Sequence, residues 1–266
     1  MPYSDHPVFS DPPEETKLWR YMDMWKFESL LDRRALFFCR ANVFSDPFEG
    51  ASPVKEVEYR ILEQQRIAEQ FRSGIDEETI QRNVKSLQRL QRNLRKSVIV
   101  SSWNANSHES AAMWRLYLKD KFGVAVQSTP ERLKESFTQT DHEVHAGRVR
   151  YLDYENDIYH DPDDFPYDGY NALAPFVHKR RFFRYENEYR ALIDLSRTGG
   201  SPAHDWSDEE NSKGKFISTD LEALIESVVV PPHSDVGFIE QVTEKLRTVG
   251  LTVDVNKSEM TDTPRF

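Results

Sequence analysis

Residues 179–194 limit the possible fold more than any other stretch, because they place many charges directly before an apolar run. Alternation from residue 185 onward predicts a β-strand with two faces: Tyr185, Asn187, Tyr189 and Ala191 on one, and Glu186, Glu188, Arg190 and Leu192 on the other. Two carboxylates and a guanidinium on one face of a strand cost free energy on burial unless that face lines a cleft. We therefore expect a candidate active site here. The alternative is an exposed edge strand with solvated ion pairs.

The rest of the chain predicts a mixed α/β fold. Residues 1–16 are rich in proline and polar side chains, and we expect them to form an extended arm. Residues 17–266 are predicted to form a single mixed α/β domain, with mixed sheets and helices packed around them. Two amphipathic helical patterns in residues 54–96 predict a helical-hairpin insertion. The acidic residues 153–171 are predicted to form a long loop.

Hydrophobic periodicity sets the expected elements. Strands are predicted at 17–21, 35–40, 98–103, 123–127, 144–151 and 251–255. Helices are predicted at 24–34, 109–118 and 237–249, with a short helix at 175–183 that leads into the charged strand.

Composition narrows the classes of function. The net charge of −10 is unfavourable for general nucleic-acid binding. The single cysteine, Cys39, excludes an internal disulfide framework and is typical of a reducing compartment. No apolar run approaches transmembrane length, so we expect a cytoplasmic protein that does not engage a membrane. We predict no metal site, since His142 and His145 would lie on opposite faces of a strand.

Three separated groups of residues have the chemistry needed to bind and cleave a nucleotide glycoside. Arg20, on an early strand, can donate two hydrogen bonds to a phosphate. Ser101 and Ser102 at the end of a central strand can hold a ribose. A carboxylate such as Glu188, with Glu186 beside it, can stabilise a developing oxocarbenium ion.

This order of residues resembles the Arg–Ser–Glu class of ADP-ribosyltransferases, although Ser101-Ser102-Trp103 departs from the Ser-x-Ser pattern of that class. The resemblance implies NAD as substrate and an acceptor that the sequence does not identify. It implies that Arg20 binds the phosphates and that Ser101 or Ser102 orients the ribose. Glu188 would stabilise the transition state, and Glu186 would orient the acceptor. A split, strongly bent pair of small sheets would bring these residues to one cleft.

The chain also resembles the bacterial domain-of-unknown-function family 2971 over most of its length. The matching segments are Leu18–Tyr21, Phe44–Glu49, Ser101–Trp103, Met113–Tyr117, Gly123–Val126 and Tyr185–Arg190. Ser45 stands where that family usually has Asn. The resemblance implies a bacterial mixed α/β protein without a settled activity, with stress or phage defence as a candidate setting.

Aromatic side chains near these groups offer a stacking wall for a ring of the substrate, or else form part of the core. Tyr21, Trp103 and Trp114 are the candidates, and we expect an NAD cleft walled by Arg20 and Trp103. Arg190 is included among the cofactor-binding residues and should keep Glu188 ionised. On this basis we expect Glu188→Gln to remove activity while leaving stability nearly unchanged.

A second feature is a row of cations at three-four spacing, which we name the basic stripe: Arg82, Lys85, Arg89, Arg92 and Lys96. It predicts a docking face for nucleic acid or an acidic partner, unless it is a solvated helix face neutralised by Glu56, Glu63 and Glu69. Two other functions stay open. One is a non-catalytic module that senses a nucleotide or docks onto a partner. The other is a metal-dependent nuclease built on Asp46, Glu186, Glu188 and Lys179.

Overall fold

The strand patterns assemble into one large mixed sheet in the computed structural model, which describes residues 3–70, 76–118, 122–159, 171–198, 206–207 and 212–261. The strands are β1 (Lys17–Asp23), β2 (Ala35–Arg40), β3 (Val98–Asn106), β4 (Gly123–Ser128), β5 (His145–Arg148), β6 (Arg150–Leu152), β7 (His178–Arg180), β8 (Glu188–Asp194), β9 (Gly214–Ser218), β10 (Ser227–Val230) and β11 (Asp254–Lys257). Nine of them form the main sheet, while β6 and β7 pair separately. The mixed α/β class predicted from the sequence is confirmed.

The helices are α1 (Met24–Arg33), α2 (Val54–Gln70), α3 (Glu77–Ser97), α4 (Ala111–Tyr117), α5 (Pro130–Glu135), α6 (Leu221–Leu224) and α7 (Val236–Thr248). Their starts follow local capping chemistry. The Asp76 side chain accepts a hydrogen bond from the Thr79 backbone N–H at the start of α3. Thr129 caps α5 in the same way, with Pro130 in the first turn. Helices α2 and α3 pack together between β2 and β3 as the predicted hairpin insertion.

The sheet is split, and β3 holds its two parts together. Along one edge of β3, residues 104–106 pair with β1 and residues 99–100 pair with β2. Neither strand pairs with residues 101–103 on that edge, so β1 and β2 diverge there. The other edge of β3 is covered by β8 from Val98 to Asn104. The gap between β1 and β2 therefore opens within one nine-stranded sheet, whereas the expected architecture was a split, strongly bent pair of small sheets.

Three apolar clusters fix the sheet between its helices. The largest joins α1, α5 and α7 to the sheet and includes Phe27, Trp103 and Tyr189. A second packs α3 and the turn at 174–176 on β3 and β8. A third lies between α4 and the strands β1, β4 and β10. The walls of the gap are therefore held by packed core on each side.

The N-terminal residues lie along the edge of the sheet formed by β5. Tyr3 bridges to Val144, and the Ser10 carbonyl accepts from the Arg148 backbone N–H at 2.8 Å. A Cβ atom added at Gly147 would lie 2.8 Å from the Cβ atom of Phe9. Gly147 is therefore required for this close approach of two segments.

The segment before β8 differs from its prediction. No helix spans 175–183. A 3₁₀ turn at Ala174–Phe176 is followed by β7, which pairs in parallel with β6, and by a second 3₁₀ turn at Arg181–Glu186. Strand β8 begins at Glu188 and not at residue 185, because Asn187 adopts φ 39°, a left-handed conformation that Asn tolerates and that ends the turn. Glu186 therefore lies outside the strand.

The predicted loop at 153–171 is described only at its ends, since residues 160–170 lie outside the described part of the chain. Within the described residues, no helix has both the length and the apolar character that a bilayer crossing needs.

Candidate functional site

A cavity of about 590 Å³ occupies the gap between β1 and β2, and we name it the cleft. Its volume lies in the range of about 300–1,000 Å³ that is typical of small-molecule sites. Six of the nine predicted catalytic and cofactor-binding residues line it: Arg20, Tyr21, Ser102, Trp103, Glu186 and Glu188. Residues from β1, β3, β8 and the turn before β8 therefore meet at one place.

Arg20 projects from β1 across the gap and donates hydrogen bonds to β3 and to β2. Its guanidinium donates to the Ser101 hydroxyl, to the Ser102 carbonyl at 3.4 Å and to the Phe37 carbonyl at 3.1 Å. Burial lowers the pKa of Arg20 to about 10. Within the described chain it makes no ion pair with a carboxylate, so its charge is balanced only by neutral oxygens. Such a cation is suited to an anionic ligand.

Two carboxylates and an ammonium group form the facing wall. Lys179 Nζ lies 2.5 Å from a Glu186 oxygen and 2.9 Å from a Glu188 oxygen. The second Glu188 oxygen lies 2.5 Å from Arg190 Nε. The Glu188 backbone N–H donates to the Tyr151 hydroxyl at 2.8 Å. Glu188 is thus held from several directions.

Arg190 supports this wall from behind and does not line the cleft, contrary to its predicted cofactor-binding role. Its side chain is fully buried and makes a two-point ion pair with Glu49. It also donates to the Phe176 carbonyl at 2.7 Å. The neighbouring Arg180 makes a similar two-point pair with Asp46, at 2.8 and 3.1 Å. The segment Phe44–Glu49 therefore holds both arginines in place through ion pairs.

The two glutamates differ sharply in proton affinity. Burial, together with a hydrogen bond to Glu188 and its negative charge, raises the pKa of Glu186 to about 7. Burial alone would also raise the pKa of Glu188, but Arg190, the hydrogen bond to Glu186 and Lys179 hold it well below its usual range. The pair therefore consists of one fixed carboxylate and one carboxyl that exchanges a proton near neutral pH.

Ser102 connects the two walls of the cleft. Its carbonyl accepts from Arg20, and its hydroxyl donates to a Glu188 oxygen at 3.5 Å. Ser101 does not line the cleft, and its hydroxyl is taken up by Arg20. Of the two serines, only Ser102 borders both the cleft and the glutamates.

The aromatic residues divide between core and cleft. Trp103 is 2 % exposed, and the Arg20 guanidinium lies 5.6 Å from its ring centre. Trp114 does not line the cleft. It packs edge-on against Tyr21 at 5.0 Å, and its indole N–H donates to Glu109 at 2.7 Å. Trp114 therefore does not join the other predicted residues at the cleft, because its ring is buried in the third cluster.

Several residues of the cleft were missed by the sequence analysis. They include Trp25, Lys26, Phe37, Glu49, Lys213 and Phe216. Trp25 lies in the first turn of α1 and is 64 % exposed, although tryptophan is buried on average. Lys26 and Lys213 carry no signal in the sequence, because isolated lysines are common on surfaces.

The position of Lys179 bears on the nuclease alternative. Its ammonium group lies between the carboxylates that would have to ligate a metal ion. Within the described part of the chain, no group of three or more His, Cys, Asp or Glu side chains is placed to hold such an ion. The geometry of the carboxylates thus favours proton transfer over metal ligation.

Comparison of the chain with protein-family models, curated proteins and solved structures finds no match.

Proposed function

We propose that the cleft binds NAD and transfers its ADP-ribosyl group to an acceptor, or to water when the acceptor is absent. One observation carries this proposal. Arg20, a cation without an acidic partner in the described chain, shares the cleft with the Glu186–Glu188 pair, and Ser102 contacts both. A substrate that is anionic at one end and becomes cationic at the other matches this polarity.

The residues of the cleft fit the parts of NAD. The pyrophosphate would lie against Arg20, with Lys26 and Lys213 adding positive charge to the same cavity. Trp25 and Phe216 supply aromatic surface for a ring. Ser102 would hold the ribose whose glycosidic bond is broken.

The chemistry follows from the charges of the wall. When the C1′–N bond breaks, its electron pair leaves with nicotinamide and positive charge develops on the ribose. Lys179 and Arg190 balance Glu188 and Glu49 while Glu186 holds its proton. Loss of that proton leaves the wall with one net negative charge, which stabilises the ribose cation. Ionised Glu186 then accepts the proton that the acceptor or water releases as its oxygen or nitrogen bonds C1′.

The test is nicotinamide release from NAD by purified protein, measured beside the rise in melting temperature that NAD produces. A ligand at a hundred times its Kd adds about 2.7 kcal/mol of stability. Arg20→Gln should lose most of the NAD-induced shift. Glu186→Gln should keep the shift but slow the release on the order of a hundredfold. Arg247→Gln, which changes an exposed arginine on α7, is the matched control.

Three outcomes separate the hypotheses. No shift and no release from the folded wild type would refute the proposal. A shift without release would instead favour the non-catalytic nucleotide-sensing module. Equal shifts in wild type and Arg20→Gln would remove Arg20 from the binding site.

We also propose membership in the domain-of-unknown-function family 2971. Its support is spatial. The matching segments Phe44–Glu49, Ser101–Trp103 and Tyr185–Arg190 all contribute residues to the cleft or to the ion pairs behind it. Sequences that share these segments should therefore also keep the Glu49–Arg190 pair, which an alignment of homologous chains would check.

A further inference from the structure

We propose that the basic stripe is a docking surface for the phosphate backbone of nucleic acid. The proposal does not depend on the activity of the cleft. All five side chains of the stripe are exposed on α3. The buried residues Ile80, Val84, Gln91 and Leu94 lie on the opposite side of the helix, so the stripe points away from the core.

The stripe is straight and evenly charged. At about 100° per residue, its five cations fall within about 80° of arc, and at about 1.5 Å per residue they span about 21 Å. No acidic residue occurs from Thr79 to Lys96. A line of cations of this length can follow several consecutive phosphates of a strand.

The cations make no close ion pair within the described chain, and only Arg82 interacts at longer range with a carboxylate, that of Asp76. None of the five makes an ion pair with a described carboxylate; Arg82 donates to the Thr79 hydroxyl at 2.9 Å. Glu56, expected to neutralise the stripe from α2, is buried and holds Arg60 at 2.9 Å. That part of the solvated-face alternative is wrong, because Glu56 faces inward. The side chains of the stripe therefore have no close acidic partner among the described residues.

The chemistry of the surface favours nucleic acid over an acidic protein. Protein interfaces usually centre on apolar and aromatic side chains and are depleted in lysine. The stripe consists of Arg and Lys alone, as expected of a polar, strongly positive surface that contacts phosphates. Because the chain carries a net charge of −10, binding should be confined to this face and should weaken steeply with salt.

The test is fluorescence anisotropy with a labelled 20-base-pair DNA duplex and with one of its single strands, from 50 to 200 mM salt. Five phosphate contacts predict a slope of about −4.5 in log K against log salt for the duplex, or a loss of about 500-fold over this range. The single strand should give a slope of about −3.5. Whichever of the duplex and the single strand binds more tightly identifies the form of nucleic acid that the stripe prefers.

The triple variant Arg82→Gln/Arg89→Gln/Arg92→Gln should bind at least tenfold more weakly at 50 mM salt, with a slope shallower by about 3. The control Arg148→Gln/Arg247→Gln/Lys257→Gln removes three exposed cations from other elements and should bind within twofold of wild type. If the first variant fails to fold, Lys85→Gln/Lys96→Gln replaces it, with an expected slope change of about 2.

Three results would overturn the proposal. They are no binding by wild type at 50 mM salt, an equal loss in the stripe and control variants, or a salt slope near zero. Binding of poly-glutamate through the stripe without binding of DNA would assign it to an acidic protein instead.

Discussion

Exchange of either glutamate of the cleft for glutamine should have opposite consequences for stability, although the two residues are only two positions apart. Glu188 is 6 % exposed and bonds two buried cations, Lys179 and Arg190. Glu188→Gln removes the charge that both cations share. Glu186, in contrast, is a neutral acid below pH 7, so that glutamine resembles its protonated form.

The expected magnitudes follow from this arrangement. Loss of one partner from a buried ion pair costs about 3–5 kcal/mol. In Glu188→Gln, the nearby Glu186 can ionise and recover part of that cost through Lys179, so we expect about 3 kcal/mol at pH 7. This corresponds to a fall in melting temperature of about 6–12 °C for a chain of this size. The expectation from the sequence, that this variant spares stability, is replaced because the structure shows Glu188 between two buried cations.

Glu186 makes the folded protein less stable as pH rises. Its pKa is raised from 4.5 to about 7 in the folded protein. Between these values the folded state binds more protons than the unfolded state, so this group lowers stability as pH rises, by at most about 3 kcal/mol. Glu186→Gln should match wild type near pH 5 and become relatively more stable by pH 8. The double variant should lose more than the sum of the single losses, since Lys179 then has neither carboxylate.

Urea and thermal unfolding of wild type, the two single variants and the double variant at pH 5, 7 and 8 measure these differences. A Glu188→Gln protein that melts within 2 °C of wild type would refute the charge balance of the wall. Equal losses for the two single variants at every pH would show that Glu186 and Glu188 do not differ in protonation.

Three further predictions concern the cleft and the fold. Nicotinamide release should rise between pH 6 and 8 and then level off, because Glu186, with its pKa raised to about 7, must ionise to accept a proton; a flat profile in wild type would contradict its role as base. Gly147→Ala should displace the N-terminal residues by forcing a contact with Phe9, seen as faster proteolysis within residues 3–16, whereas Gly237→Ala, whose added Cβ would make only an ordinary contact at 3.5 Å, should not affect that segment. Asp76→Ala should cost about 1 kcal/mol of unfolding free energy through loss of the α3 cap, and Asp76→Ser should recover most of it.

Local patterns predicted the elements that local forces determine. Strand β2 was predicted with its observed bounds, and the two amphipathic patterns in residues 54–96 correspond to α2 and α3. The prediction failed just before β8, where long-range ion pairs control the chain. Arg180 is tied to Asp46 and Arg190 to Glu49, across 134 and 141 residues respectively. No periodicity within a single segment encodes partners at such separations.

The candidate site shows the same division. The types of residue near residues 185–190 indicated a cleft, and Arg20, Ser102 and both glutamates do line one cavity. The ion pairs of Lys179 with the two glutamates and of Glu49 with Arg190 depend on tertiary packing, as does the burial of Trp114. The sequence alone could not assign these roles.

The branching of the sheet at β3 also has a consequence for synthesis of the chain. Arg20 and Glu188 lie 168 residues apart in the sequence, and the edge of β3 that β8 covers stays unpaired until β8 is made. Non-local strand pairing folds slowly, and exposed strand edges promote aggregation of nascent chains. During translation, the nascent chain will therefore contain β1 to β4 while the edge of β3 that pairs with β8 is still exposed. Chains truncated before residue 188 should aggregate and should not yield a smaller stable domain.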